Sequence, residues 1–345
     1  MGISALLALF VGEITVRMFK PRVMFPRYVT NGDFGIRVNV PNARYWHTSP
    51  EVRVQFRINS MGIRSDREYT FKKPPGTIRI VGLGDSFTQG YEVDLKETYL
   101  YCLEEMLRAR GYPVEVINLG VSGYGNAEEL IMLREFGFRF DPDIVIVGYF
   151  INDPNDNVRS NLYRLDERDQ LVRVADSYLP AIGIRNKLYS FWAYRWLAEN
   201  SQLLSLARER LAAMVKRKMV EAKTTASEKP AGNDYPGRLA ARLLDELERE
   251  CVQRSVIFLL LDIPDPCNLK SDLPATYFEQ VTSDEIVRTA PTLCAEEPGA
   301  YLYRRHGHRH WTPRGHEIAA ELLAAAVVPA LDCLLQESGS LESKP

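Results

Sequence analysis

The stretch Ile78-Arg79-Ile80-Val81-Gly82-Leu83-Gly84-Asp85-Ser86-Phe87-Thr88-Gln89-Gly90 decides the fold. Its first six residues are mostly apolar and β-prone, with Pro74-Pro75-Gly76 before them and glycine after, which predicts a short buried strand. A tight, glycine-flanked turn then presents a serine. In an open α/β sheet, ligands gather at the carboxyl ends of the strands, so Ser86 is a candidate nucleophile. The plainer alternative is an ordinary βα turn in which Ser86 only caps the next helix.

Three further blocks repeat the pattern. The apolar run Val114-Glu115-Val116-Ile117-Asn118 is followed by Leu119-Gly120-Val121-Ser122-Gly123-Tyr124-Gly125. The run Ile144-Val145-Ile146-Val147-Gly148-Tyr149-Phe150 is followed by Ile151-Asn152-Asp153-Pro154-Asn155-Asp156-Asn157. Near the C-terminus, His310-Trp311-Thr312-Pro313-Arg314-Gly315-His316 leads into a long apolar helix, with Thr312 and Pro313 in the N-cap and N1 positions. Taken singly, Gly123 reads equally well as a turn residue and Asn152 as an Asx-turn. The four blocks in this order resemble the SGNH (GDSL-type) hydrolase family, over roughly residues 76–335.

That resemblance implies a flavodoxin-like three-layer α/β/α sandwich on a parallel sheet. It implies Ser86 as nucleophile, His310 as base, and Ser86, Gly123 and Asn152 around an oxyanion hole. It implies no cofactor, and a small acyl group on a carbohydrate as a plausible substrate. The residue chemistry agrees: acyl transfer needs a nucleophile, a base and donors aimed at the developing oxyanion. Gly123 has no side chain to obstruct its N–H, and the Asn152 amide donates without losing a proton.

Five histidines narrow the base. His47 lies in the N-terminal segment and reads as a surface or loop residue. His316 falls in the first turn of the terminal helix. His310 sits on the loop before it, where a ring reaches across the strand ends. The family usually carries an Asp two or three positions before this histidine, but here those positions hold His308 and Gly307. Three outcomes follow: a Ser-His dyad with a backbone carbonyl holding His310, which is the favoured expectation; an acid from elsewhere, such as Glu296 or Glu297; or a silent site. A metal is the rival reading, since His306, His308 and His310 alternate and would share one face of a strand. No matching Cys or Glu pair appears, and Arg304, Arg305 and Arg309 crowd the stretch, so no metal site is expected.

A net charge of −2 over 345 residues gives no electrostatic case for nucleic acid. Lys216-Arg217-Lys218, with Arg208 and Arg210 and flanked by Glu209 and Glu221, reads as a solvated helix face. Five scattered cysteines make no framework, a Cys267–Cys294 bridge being the one pairing left open. Residues 1–23 hold an apolar run from Ile3 to Val11, continued by Ile14, Val16, Met18 and Phe19 and broken by Glu13 and Arg17. They read as a membrane anchor or leader in which Glu13 and Arg17 pair on one helix face. A membrane-anchored or extracytoplasmic location follows from that, a cytoplasmic one being the alternative.

Residues 24–75 are expected to decorate the core, with Val52, Val54, Phe56 and Ile58 alternating as a half-buried strand before the turn Asn59-Ser60-Met61-Gly62. Within residues 76–335, Leu100, Leu103 and Leu107 line a helix closed by Gly111. Asn126 and Glu129 fit a capping box. Leu239, Leu243, Leu247 and Cys251 form an apolar stripe feeding the strand Val256–Leu261. The insertion 155–237 contains a hairpin, an aromatic helix over Tyr189–Trp196 that is either a lid or packed on the core, and a loop over Thr224–Gly237. Residues 336–345 are expected to be a disordered tail. Hydrolysis of a small or glycan ester is the main functional expectation. A glycan O-acyltransferase and an inactive carbohydrate-binding protein are the alternatives.

Overall fold

A computed structural model describes residues 2–24, 26, 28–211, 214, 235–264, 286–297, 299–306 and 309–342. The chain begins with α1 (Gly2–Phe19), then two antiparallel pairs: β1 (Val29–Asn31) with β2 (Arg37–Asn39), and β3 (Arg44–Thr48) with β4 (Arg53–Arg57). Next come β5 (Ile78–Gly84), the one-turn helix α2 (Ser86–Gln89), α3 (Tyr99–Ala109), β6 (Val114–Asn118), α4 (Asn126–Glu135) and β7 (Ile144–Phe150). They are followed by α5 (Asp153–Ser160), the antiparallel pair β8 (Tyr163–Leu165) and β9 (Leu171–Arg173), α6 (Ile182–Ser190), α7 (Trp192–Asn200) and a helix α8 over residues 202–211. The C-terminal part holds α9 (Tyr235–Val252), β10 (Ile257–Ile263), β11 (Ile286–Arg288), α10 (Ala290–Glu296) and α11 (Pro313–Glu342).

Five strands pair in parallel in the order β11-β10-β7-β5-β6. Every residue of β5 is buried, as expected of a strand covered on both faces. On one face Val81, Leu83, Ile117, Val145 and Val147 meet Leu130 and Leu133 of α4 and Leu239, Leu243 and Leu247 of α9. On the other, Ile80, Val116, Ile144 and Ile146 meet Leu100, Leu103 and Leu107 of α3 and Ile318, Leu323 and Val327 of α11. The chain thus forms the expected flavodoxin-like three-layer sandwich. The path runs from β5 to β6 on one side and then crosses to β7 on the other. The carboxyl ends of β5 and β7 therefore flank the topological switch point, where such sheets bind ligands.

Several expectations change. His47 is not on the surface: it is fully buried in β3, its ring stacked 3.9 Å from that of Phe56. The N-cap of α4 is Gly125, whose N–H donates to Glu128 Oε2 at 3.3 Å, one residue earlier than the expected Asn126–Glu129 box. The side chains of Asn126 and Glu129 bond to each other instead. The aromatic stretch is two helices broken at Phe191 rather than one. Tyr235–Gly237 open α9 instead of closing a loop, and α11 continues to Glu342 through the expected tail. Cys267, Lys216–Lys218, Glu221 and residues 224–234 lie outside the described residues.

Residues Pro313–Gln336 of α11 are long and apolar enough to cross a membrane. Packing settles their role differently, since Ile318, Ala319, Ala320, Leu323, Ala324, Val327 and Leu331 are fully buried in the core. Leu103 lies in the same layer, also fully buried. Leu103→Ala is expected to destabilise the fold by about 2–5 kcal/mol, the range for buried leucine truncations. Denaturant unfolding measures it, and an unchanged midpoint contradicts this packing.

Candidate active site

Strand β5 ends at Gly84 with φ +150°, where an added Cβ would lie 2.0 Å from Thr88 Oγ1. Only glycine turns the chain there. Asp85 follows as the N-cap of α2, its Oδ1 accepting the Phe87 N–H at 2.8 Å. Ser86 is therefore not the cap. Its Oγ lies 2.8 Å from His310 Nε2, against 3.5 Å from Asp85 Oδ2, so the imidazole holds the better hydrogen bond.

On the other side of the His310 ring stands a carboxylate. Nδ1 lies 3.3 Å from Oε2 of Glu92, a fully buried residue six positions after the serine. Of the three expectations for that slot, the geometry matches an acid from elsewhere, with Glu92 in place of Glu296 or Glu297. No backbone carbonyl is needed. Glu296 is engaged with Arg314 at 3.0 Å, and Glu297 is exposed beyond the end of α10. With Glu92 accepting from Nδ1–H, Nε2 is left with its lone pair toward the Ser86 hydroxyl. The rings of Phe87 and Tyr91 pack edge-on against His310 at 4.9 and 5.4 Å, keeping the imidazole buried.

Glu92 adopts φ +64°, a left-handed conformation uncommon for a non-glycine residue. Two arginines hold the turn that carries it. Arg64, fully buried and arriving from beyond β4, donates to the carbonyls of Gln89 (2.9 Å), Gly90 and Val93 (2.7 Å). Its guanidinium also lies over the Phe56 ring at 3.7 Å. Burial lowers the Arg64 pKa to about 10, which leaves it charged at neutral pH. Arg304 donates from its side chain to the Glu92 carbonyl at 3.0 Å, and its backbone N–H donates to the His310 carbonyl at 2.9 Å. One residue thus ties the segment bearing Glu92 to the segment bearing His310.

Gly123 and Asn152 stand on the loops after β6 and β7, the two strands flanking β5. Gly123 takes φ +79°, and its carbonyl accepts a bond from Arg37 of β2. The Ser122 N–H donates to Gln89 Oε1 at 2.9 Å, and Gln89 Nε2 donates to Asn39 Oδ1 at 2.8 Å. The segment expected to be decoration therefore supplies Arg37, Asn39 and Arg64, all buried, to the loops around Ser86. Asn152 Nδ2 donates one hydrogen to Asp156 Oδ2 at 3.2 Å and retains a second N–H.

Behind these loops lie further buried carboxyls. Asn126 Nδ2 donates to Glu129 Oε2 at 3.0 Å and to Asp153 Oδ2 at 3.3 Å. Burial raises the Asp85 pKa to about 6, against the pull of the Phe87 N–H and of His310. Burial also raises Glu128 to about 7 and Glu129 to about 8. His316, the fourth residue of α11, is pushed down to about 3 by burial, and its Nδ1 accepts the Tyr99 N–H at 3.3 Å. A neutral histidine so placed is structural. His306 is exposed, and His308 and Gly307 lie outside the described residues. Among the described residues no cluster of three His, Cys, Asp or Glu is placed to hold a metal.

Nothing in the spacing singled out Glu92. The one signal was negative, an empty acid slot before His310, and 45 acidic residues offered replacements.

A sequence model of the GDSL-like Lipase/Acylhydrolase family matches residues 83–318. An arylesterase of Vibrio mimicus is 27% identical over 135 residues, covering 36% of this chain and 68% of that protein. Among solved structures, TesA is similar at 14% identity and TM-score 0.40, over 73% of this chain and 98% of its own. The acetyl xylan esterase AlAXEase is similar at 11% identity and TM-score 0.40, over 72% and 100%. A two-domain esterase active on acetylated mannans shows 13% identity and TM-score 0.42, over 74% and 48%.

The carboxyl of Glu129 titrates near 4.5 when free and near 8 in the fold. Between those values the native state holds a proton that the unfolded chain releases. Its contribution to stability is complete below about pH 4.5 and is lost as pH rises through about 8. Glu129→Gln is expected to flatten the fall in thermal midpoint between pH 5 and 8. An unchanged slope in the variant contradicts a buried neutral acid.

Proposed function

Since the chain belongs to the GDSL-like lipase/acylhydrolase family and is a carboxylic ester hydrolase, we propose that it works through a Ser86–His310–Glu92 relay. The observation that carries this reading is the unbroken hydrogen-bond path from Ser86 Oγ through both ring nitrogens of His310 to Glu92. His310 Nε2 takes the Ser86 proton as Oγ attacks the acyl carbon. Glu92 stabilises the imidazolium that forms and holds the ring in the tautomer that accepts this proton. The backbone N–H groups of Ser86 and Gly123 and the second N–H of Asn152 receive the oxyanion. Collapse of the tetrahedral intermediate breaks the ester C–O bond, and His310 protonates the departing alcohol. Water then attacks the acyl-serine by the same path, releasing a carboxylic acid and restoring the Ser86 hydroxyl.

We assign the substrate to small acyl esters, with an O-acyl group on a carbohydrate as the class to test first. A sugar hydroxyl replacing water at the second step makes the same site a transferase. Assays on acetylated glycans with and without an added glycan acceptor separate the two by product.

Ser86→Ala is expected to abolish cleavage of p-nitrophenyl acetate and stoichiometric labelling by a serine-directed phosphonate. Retained turnover removes Ser86 from the mechanism. Glu92→Gln is expected to lower kcat by about 10⁴ if it disturbs the tautomer as loss of the triad acid does elsewhere. Glu296→Gln, by contrast, leaves kcat within about twofold, since among the described residues the Glu296 carboxylate bonds Arg314, away from His310. Equal losses in the two variants refute Glu92 as the acid. His310→Ala costs far more activity than His308→Ala, and the reverse order identifies a different base.

A further inference from the structure

The remaining unexplained feature is a band of apolar side chains on the outside of the fold. On α1, Leu6, Leu7, Leu9, Phe10, Val11, Ile14, Met18 and Phe19 are exposed. On α6, Ile184 and Leu188 are exposed one helical turn apart. Phe191, Trp192 and Trp196 follow at the α6–α7 break and on α7, with 61%, 76% and 61% of their surface open. Trp192 and Trp196 are four apart and share a helix face.

These two patches are joined by a polar clasp. Glu13, which interrupts the apolar run, accepts the N–H groups of Gln202 and Leu203 at 2.9 Å each and the Ser201 hydroxyl at 2.8 Å. It thereby caps the amino end of α8, where an anion is stabilised. Arg17 bonds Glu13 at 2.7 Å, the expected pair, and also reaches the carbonyl of Asn200, the last residue of α7. Val16, between them, is buried. One face of α1 is thus fastened to the α7–α8 junction while its remaining sides stay apolar and open.

We propose that α1 and the α6–α7 aromatic band form one surface that docks into an anionic lipid bilayer, with Glu13 fixing their relative position. Three observations select lipid over a second protein chain. Residues 4–11 of α1 are exposed on every side. A flat protein face covers only one side of such a helix, whereas lipid surrounds it. Phe191, Trp192 and Trp196 are the amphipathic or apolar rings that settle at the membrane–water boundary. Residues 182–200 also carry Arg185, Lys187 and Arg195 against the single acid Glu199, which itself accepts the Tyr28 hydroxyl, a balance suited to anionic headgroups.

The surface is independent of the esterase reading and is tested on the full chain with vesicles of phosphatidylcholine containing about one third phosphatidylglycerol, the anionic lipid the basic residues call for. Brominated phosphatidylcholine in these vesicles is expected to quench tryptophan emission. W192F/W196F is expected to lower the quenched emission by about tenfold, because Trp311 is buried in the core and Trp46 lies under Arg53. Cleavage of soluble p-nitrophenyl acetate by this variant stays at the parent level, showing that it is folded. E13Q is expected to leave the chain on floated vesicles while reducing quenching of Trp192 and Trp196, as the clasp opens. Absent quenching in the parent, or equal quenching in W192F/W196F, overturns the docking surface. Unaltered quenching in E13Q overturns the clasp. A lipid-independent dimer that shields both tryptophans assigns the surface to a second copy instead.

Discussion

A guanidinium sealed inside a protein must find acceptors, and at Arg64 that demand shapes the end of the molecule that carries Ser86 and His310. A buried charge left unsatisfied costs several kcal/mol. Among the described residues, the terminal nitrogens of Arg64 bond the backbone carbonyls of Gln89, Gly90 and Val93 rather than a carboxylate, so the chain just after the serine turn curls around it. Glu92 lies within that curl, in a conformation that a free loop would rarely hold. The charge from the N-terminal segment and the acid beside His310 are two ends of one constraint.

The same logic extends to the loop after β6. Arg37 and Asn39, both on β2, reach it directly or through Gln89, so the first antiparallel pair helps hold the site. Hydrogen bonds between buried polar side chains of this kind help fix the loops they join. A catalytic group a fraction of an ångström out of place loses much of its effect. Arg304 completes the frame by bonding the backbones of both Glu92 and His310. The hydrogen-bond order Glu92–His310–Ser86 around the imidazole is that of the triad template.

Glu13 makes a parallel point at the other end of the chain. Within an apolar run it reads as a defect in an anchor, tolerable only through its pairing with Arg17. In three dimensions its carboxylate caps α8, so the charge that interrupts the apolar run also attaches that helix to the fold. The expected pairing with Arg17 was correct but incomplete, because a helix amino end from residue 202 is invisible at residue 13.

The amino-acid order by itself determined four of the five strands of the sheet, their parallel run and the residues at its carboxyl edge, while β11 carried no comparable apolar run. Apolar runs such as Ile144–Phe150 can only be buried on both faces, and glycine at position 84 permits only a sharp exit. It also isolated His310, because His316 had to fall in a helix. Tertiary structure alone decided which acid meets that histidine, that Asp85 rather than Ser86 caps α2, and that His47 is buried. Those choices depend on contacts between segments far apart in the chain, where local periodicity carries no information and only the packing of buried charge selects among many equivalent side chains.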